Sequence, residues 1–319
     1  MRVVAFDLGT NTFRWMAIER APDGAVEMAG YGREVVQLGR DLSETGRIGA
    51  AASEDARRLL LAWRPGRGIV PEATRALAVC THAWRAASDG AALAERLTRE
   101  TGIPLRIVSP ETEAMLTWTG CSDRANATVL DIGGGSTELS FGRGDEFAGA
   151  YSLPVGVVTG MQRHRETLDQ AIRRTRATFE QVCRDVYNMT PSELTRDARG
   201  TPLLATCGTS SALACQHAAL AVYDRDAVDG RFLSRDWLER LIRERADWDD
   251  RRWAGEPFIG SKRAALIGPG IGLLLAVLEA TDADGWVNRE AGLLEGAARR
   301  LLANEPVPSW TLAAPATGA

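Results

Sequence analysis

The stretch VLDIGGGSTELS, residues 129–140, ends an apolar run in an acid, follows it with three glycines and two hydroxyls, and then resumes in alternation. Glycine destabilises regular structure, so a triplet at the end of a strand needs a tight turn or a ligand that approaches the backbone. The same arrangement opens the chain. VVAFDLGTNTFRWMAIE and TVLDIGGGSTELSFG share an apolar strand, Asp, Leu or Ile, Gly, small residues, a hydroxyl and an apolar–polar alternation. Alternation after a glycine turn predicts a second strand returning beside the first. Asp7 and Asp131 therefore each sit where a strand enters a hairpin.

A second pair of segments supports duplication. ALAVCTHAWRAA and LLATCGTSSALA both read as an apolar run, a Cys, a small polar turn and a helix-forming segment. The aspartates stand 124 positions apart (7 and 131) and the cysteines 127 (80 and 207). Two features with nearly the same offset predict two copies of one unit. Between them the elements alternate. Helices are expected over 53–63, over 88–101 with Gly102 as its stop, and over 109–120 with Ser109 as N-cap, Pro110 at the first position and Gly120 as its stop. A strand is expected at 104–108. The second half adds a helix over 166–188 with Leu168, Ile172, Phe179, Val182 and Val186 on one side, another over 234–248, and an apolar helix over 268–281. The expected fold class is α/β, with duplicated halves and an interdomain cleft towards which both glycine turns face. The expected divisions are 1–124, 125–287, a helix in 288–303 that crosses back to the first half, and a tail at 304–319.

Composition narrows the partners. The 319 residues carry a net charge of −4, which gives no global attraction to nucleic acid or to an anionic membrane surface. No signal-like N-terminus or uninterrupted membrane-length apolar run is read, and the five scattered cysteines lack C-x-x-C spacing. The expectation is a cytoplasmic protein with reduced thiols, no nucleic-acid partner and no membrane. Lys262 is the only lysine, so phosphate binding must rest on arginine, backbone amides or a metal. The apolar stretch 271–278 fits either a core or a homodimer contact.

The turns suggest the chemistry. Successive N–H groups of Gly133, Gly134 and Gly135 form an anion-binding concavity, with Ser136 and Thr137 as added donors. Asp131 and Glu138 suit a divalent cation such as Mg²⁺, as does Asp7 in the first turn. Gly208, Thr209 and Ser210 open a helix, another phosphate position. Thr10, Asn11 and Thr12 belong to the first turn. Each residue also has a structural reading. Asp7 and Asp131 can hydrogen-bond their own turns, Glu138 can be a solvated strand residue, and Glu113 can complement a helix dipole. Arg14 and Arg85 can be surface cations. The arginines at 163, 165, 173, 174 and 176 either steer a polyanion or coat a solvated helix.

DLGTNTFR, DIGGGSTE, SPETEAMLTWTG, SLPVGVV, CGTSSALA and GLLEG, in this order and spacing, resemble the exopolyphosphatase/guanosine pentaphosphate phosphatase family over roughly residues 1–300. The resemblance implies two ribonuclease-H-like domains of the actin-like ATPase superfamily. It implies Mg²⁺-dependent release of terminal phosphate from inorganic polyphosphate, or of the 5′-terminal phosphate of guanosine pentaphosphate, with Glu113 as the base beside Asp131 and Glu138. It implies phosphate contacts for Arg14 and Arg85. Four positions depart from the family pattern: Trp84 near the expected cleft, Thr112 in place of an acid, Ala265 in place of an acid, and Leu294 in place of an arginine. The chain is expected to be a short form, without the C-terminal helical domain of longer members. Two other classes remain: a non-catalytic polyphosphate or (p)ppGpp sensor, and an ATPase or kinase whose nucleoside segment would be GPGIG at 268–272.

Overall fold

The computed structural model describes residues 1–67, 70–123, 125–144, 146–158 and 166–308. The chain divides into two compact units, Met1–Gly120 with Leu293–Ala319, and Cys121–Gly292.

The first unit is built on a five-stranded sheet of order β3-β2-β1-β4-β5. Its strands are β1 (Arg2–Leu8), β2 (Thr12–Arg20), β3 (Val26–Val35), β4 (Arg75–Cys80) and β5 (Leu105–Ile107), with helices α1 (Leu42–Thr45), α2 (Ala50–Ala62), α3 (His82–Ala86), α4 (Gly90–Thr101) and α5 (Pro110–Ser122). β1 to β3 form an antiparallel meander, and β4 and β5 run parallel to β1. β1 is central and buried almost throughout, which is why VVAF reads as a continuous apolar run rather than an alternation. Its residues divide between two cores. Val4, Phe6 and Leu8 join Trp63, Trp84 and Leu97, whereas Val3 and Ala5 join a cluster completed from the end of the chain.

The second unit repeats this topology in a sheet of order β10-β11-β9-β6-β7-β8. The meander is β6 (Ala127–Ile132), β7 (Thr137–Arg143) and β8 (Glu146–Leu153). β9 (Leu203–Ala205) and β11 (Gly285–Asn288) extend it in parallel, and β10 (Phe232–Ser234) adds an antiparallel edge. Its helices are α6 (Leu168–Tyr187), α7 (Pro191–Leu194), α8 (Gly208–His217), α9 (Arg225–Val228), α10 (Arg235–Glu244), α11 (Asp250–Ala254) and α12 (Gly260–Thr281). The order β8-β7-β6-β9-β11 matches β3-β2-β1-β4-β5, so the duplication seen in the motifs is a duplication of topology.

α6 begins on a capping box of Thr167 and Gln170 and ends at Asn188 in the left-handed conformation. Leu168, Ile172 and Phe179 are buried as the periodicity predicts, but Val186 is 49% exposed, because α6 outruns the core it packs on. α12 starts earlier than expected and is a core helix, with Ile271, Leu274 and Leu278 fully buried. Its GPGIG segment is helical, not a loop. A β-carbon at Gly268 would lie 2.8 Å from Ala171 Cβ, and one at Gly272 would lie 3.0 Å from Thr175 Cβ, so these two glycines let α12 approach α6. The nucleoside-loop reading of GPGIG is thereby removed.

The final helix, α13 (Leu293–Leu302), packs on the first sheet, where Leu294, Ala297, Ala298 and Leu301 cover Val3, Ala5 and Met16. Gly120 does not stop α5. It lies within the helix where α13 comes close, since a β-carbon at Gly296 would meet the Leu116 carbonyl and lie 3.1 Å from Gly120 N.

Candidate active site

The two glycine turns are built alike. Four residues separate the innermost register partners of each hairpin, Leu8 from Phe13 and Ile132 from Thr137, and a Gly N–H closes each loop: Gly9 N donates to Thr12 O at 3.2 Å, and Gly133 N to Ser136 O at 2.9 Å. The carbonyls of each turn are taken by the segment after the third strand. Val36 and Gln37 donate to Asn11 O and Gly39 to Thr10 O, while Val157 donates to Gly133 O and Val158 to Gly134 O. With the carbonyls held, the N–H groups of Gly134, Gly135 and Ser136 donate to no backbone acceptor among the described residues, and neither do those of Thr10 and Asn11. Unpaired successive amides in a turn are an anion-binding feature.

Register then separates the turns. Asp7 pairs with Arg14 across β1–β2, and Asp131 pairs with Glu138 across β6–β7. The same position therefore holds a cation in one copy and an acid in the other. Arg14 donates through both Nε and Nη2 to Asp7 Oδ2, and Asp7 is 4% exposed. The carboxylate raises the Arg14 pKa well above its ordinary value. The carboxylate expected to serve a metal thus already has an ion-pair partner at Oδ2. The opposed carboxylates of Asp131 and Glu138 are half-buried, and like charges directly opposite on adjacent strands repel. That repulsion and the hard oxygen donors suit Mg²⁺. Among the described residues no three His, Cys, Asp or Glu side chains converge. With Asp131 and Glu138 alone, Mg²⁺ would take its remaining oxygens from water and phosphate.

Two expected phosphate donors are committed elsewhere. Thr137 is fully buried and its hydroxyl donates to Val155 O at 2.6 Å, so it fastens the segment after β8 to the turn. Ser210 is fully buried, donates to Asn288 Oδ1 at 2.6 Å and accepts from Trp286 Nε1 at 2.8 Å. It fixes the first turn of α8. Gly208 is exposed at that helix start, while Thr209 is buried and faces α12 at Gly270. The N-cap is Cys207, whose sulfur accepts from Ser210 N. Burial, with Asp131 nearby, pushes its thiol up to about 12.

Arg263 escaped sequence reasoning. A β-carbon at Gly208 would lie 3.8 Å from its guanidinium carbon, so Arg263 stands over the α8 N-terminus. Arg263, Thr209, Ile132 and Val157 line a cavity of about 110 Å³. Its sequence signal is its place two residues before Ala265, in a segment where the family pattern carries an acid.

Glu113 lies in the first turn of α5. Ser109 Oγ caps this helix by accepting from Thr112 N at 3.1 Å, and Pro110 occupies the first helical position. Arg85 Nη1 donates to Glu113 Oε2 at 2.8 Å and to Val108 O at 2.8 Å. The structure thus joins two residues chosen separately from sequence. The Glu111 carboxyl is held below the usual carboxylate range, first by its own backbone N–H and then by the Ser109 hydroxyl. Trp84 and Leu294 are core residues. Trp84 is 1% exposed, donates from Nε1 to Leu8 O at 2.8 Å and stacks on Phe13, which corrects the expectation of a tryptophan in a cleft.

Arg173, Arg174 and Arg176 pair with Asp169, Glu166 and Glu279, as on a solvated helix face. Arg163 and Arg165 lie outside the described residues.

Residues 30–305 match the family model described as the Ppx/GppA phosphatase family. The chain belongs to that family. Its fold is that of Ppx/GppA crystal structures. One is the Aquifex aeolicus family member, with 23% identity, 95% of this chain and 98% of that chain covered, and a TM-score of 0.82. Another is the type II variant of the Aquifex aeolicus Ppx/GppA phosphatase, with 24% identity, coverage of 93% and 97%, and a TM-score of 0.79. A third is an exopolyphosphatase from Cytophaga hutchinsonii, with 22% identity, coverage of 97% and 100%, and a TM-score of 0.77. The duplicated α/β architecture of this Ppx/GppA chain is therefore the one expected from the actin-like ATPase resemblance.

Proposed function

We propose that this chain is a phosphoanhydride hydrolase that releases terminal orthophosphate from inorganic polyphosphate. The observation that supports this most is the β6–β7 turn. It combines three successive N–H groups that have no backbone acceptor among the described residues with two opposed carboxylates on the adjoining strands. A polyanion and a divalent cation answer both needs together. Asp131 and Glu138 hold the cation, and the amides of Gly134, Gly135 and Ser136 receive phosphate oxygens. Gly208, with Arg263 beside it, offers a further anion position at a helix start. Mg²⁺, when bound, neutralises charge on the phosphoryl oxygens. Glu113 orients the attacking water and takes its proton, with Arg85 fixing one carboxylate oxygen so that the other is aimed.

The test is phosphate release with Mg²⁺ from defined-length polyphosphate, guanosine pentaphosphate and ATP, comparing wild type with Glu113→Gln. The expected result is release from polyphosphate and a loss of at least about 100-fold in the variant. Preference for guanosine pentaphosphate would make the chain a 5′-phosphohydrolase. Binding of either ligand without turnover would make it a sensor and overturn the proposal.

A further inference from the structure

β8 is an edge strand, and an edge leaves backbone N–H and C=O groups without a ladder partner. At Ser152 both groups are answered by one side chain. The Ser152 N–H donates to Tyr187 Oη at 3.1 Å, and the Tyr187 hydroxyl donates back to Ser152 O at 2.9 Å. Tyr187 is the last residue of α6, and its ring stands edge-on to Tyr151 with centroids 5.0 Å apart. Ser152 is also the register partner of Glu138, and its hydroxyl donates to Glu138 Oε1 at 2.8 Å. A chain of contacts thus runs from the end of α6 to one of the two opposed acids.

Glu138 stands opposite Asp131 across the β6–β7 ladder, and a Glu side chain has several rotamers there. A hydroxyl on a clamped strand removes that freedom, and the clamp keeps the hydroxyl itself from moving with a fraying edge. We propose that Ser152 is a positioning residue that fixes Glu138 in the rotamer serving the divalent cation, with the Tyr187 hydroxyl as its clamp. This rests on the reading that Asp131 and Glu138 hold the metal.

The test uses the full chain with Mn²⁺ as probe and inorganic phosphate present, and reads affinity by electron paramagnetic resonance. Ser152→Ala and Tyr187→Phe are each expected to weaken Mn²⁺ binding about tenfold, as losing a support to a metal ligand does. The metal concentration for half-maximal phosphate release should rise in parallel, with kcat at saturating metal largely kept. Ser152→Thr, which keeps the hydroxyl, should restore affinity. A merely structural Ser152 would lower the melting temperature without moving the Mn²⁺ affinity, and that outcome overturns the inference. If Glu138→Gln loses Mn²⁺ while Ser152→Ala does not, the metal reading stands and the positioning role fails. If Glu138→Gln binds Mn²⁺ as wild type does, the metal reading fails and the inference falls with it. If Ser152→Ala weakens binding and Tyr187→Phe does not, Ser152 keeps its role and the clamp is refuted.

Discussion

Two alanine substitutions near the β6–β7 turn should separate packing from ligand approach. A β-carbon at Gly156 would lie 2.5 Å from Gly133 O and 2.6 Å from both Gly134 C and Gly134 O. All three are backbone atoms, so no side chain can swing aside. The segment would have to withdraw by about 0.9 Å to reach ordinary contact at 3.4 Å. Such overpacking costs about 1–3 kcal/mol. Withdrawal also stretches the bonds from Val157 N to Gly133 O and from Val158 N to Gly134 O, each worth about 1 kcal/mol net. A total of about 1–5 kcal/mol corresponds to a fall of about 2–20 °C in melting temperature for a unit of this size. Gly135 is the contrast. A β-carbon there meets nothing within 4 Å, and its φ lies outside the left-handed region. Gly135→Ala should hold its melting temperature or gain slightly, by about 0.4–1 kcal/mol. If phosphate packs on this backbone, the added methyl group stands where the phosphate oxygens go, and kcat/KM should fall at least about tenfold. Calorimetric melts and phosphate-release kinetics on both variants decide the matter. A Gly156→Ala protein that melts with wild type refutes the packing argument. A Gly135→Ala protein with full activity refutes ligand approach at the turn.

Arg14→Met should destabilise the first unit by about 3–5 kcal/mol in urea melts, because it leaves the Asp7 carboxylate buried without its cation. The double variant with Asp7→Asn should recover most of that loss. Burial, with Arg231 beside it, depresses the His217 pKa below the usual 6.5, so the unfolded chain binds a proton that the folded chain resists. Stability should therefore fall as pH drops through 6.5 and continue falling until the depressed value is passed, and His217→Asn should flatten that slope in melts across pH. Trp84→Phe keeps the stacking on Phe13 but leaves the Leu8 carbonyl without its donor, which should cost about 1–3 kcal/mol in the same melts.

The signals legible in the sequence were local ones. A glycine turn between an apolar run and an alternation specifies a hairpin within a dozen residues, and its recurrence near position 131 disclosed the second copy of the topology. The Asp7–Arg14 pair was also within reach. A four-residue loop between Leu8 and Phe13 puts residue 7 opposite residue 14, so register alone predicts the ion pair at Asp7. Arg85 and Glu113 were chosen one at a time, because they are 28 positions apart and only the parallel pairing of β4 with β5 brings their segments together. Trp84 misled because a bulky residue in a functional motif suggests a cleft. Its indole instead is buried in the core under β1, and its N–H donates to the carbonyl of Leu8, the last residue of that strand. Ser152 gave no signal, since a serine in a strand is ordinary until the neighbouring strand places a glutamate beside it.

The contrast between residues 14 and 138 shows how one duplicated hairpin can serve two purposes. Both turns close with the same hydrogen bond, present amides in the same order and put an aspartate at the same strand end. What differs is the residue directly across the ladder. With arginine there, the first turn pairs its own acid with a cation from the facing strand. With glutamate there, the second turn sets two acids beside amides that favour anions, and in the proposed site a cation shared between the carboxylates and a phosphate group joins the two. The proposed metal site therefore draws on the second turn, where two acids face each other, although the motif that suggests it occurs in both. The hydrogen bond that Ser152 gives to Glu138 has no equivalent duty at residue 14, where Asp7 already holds the guanidinium in place.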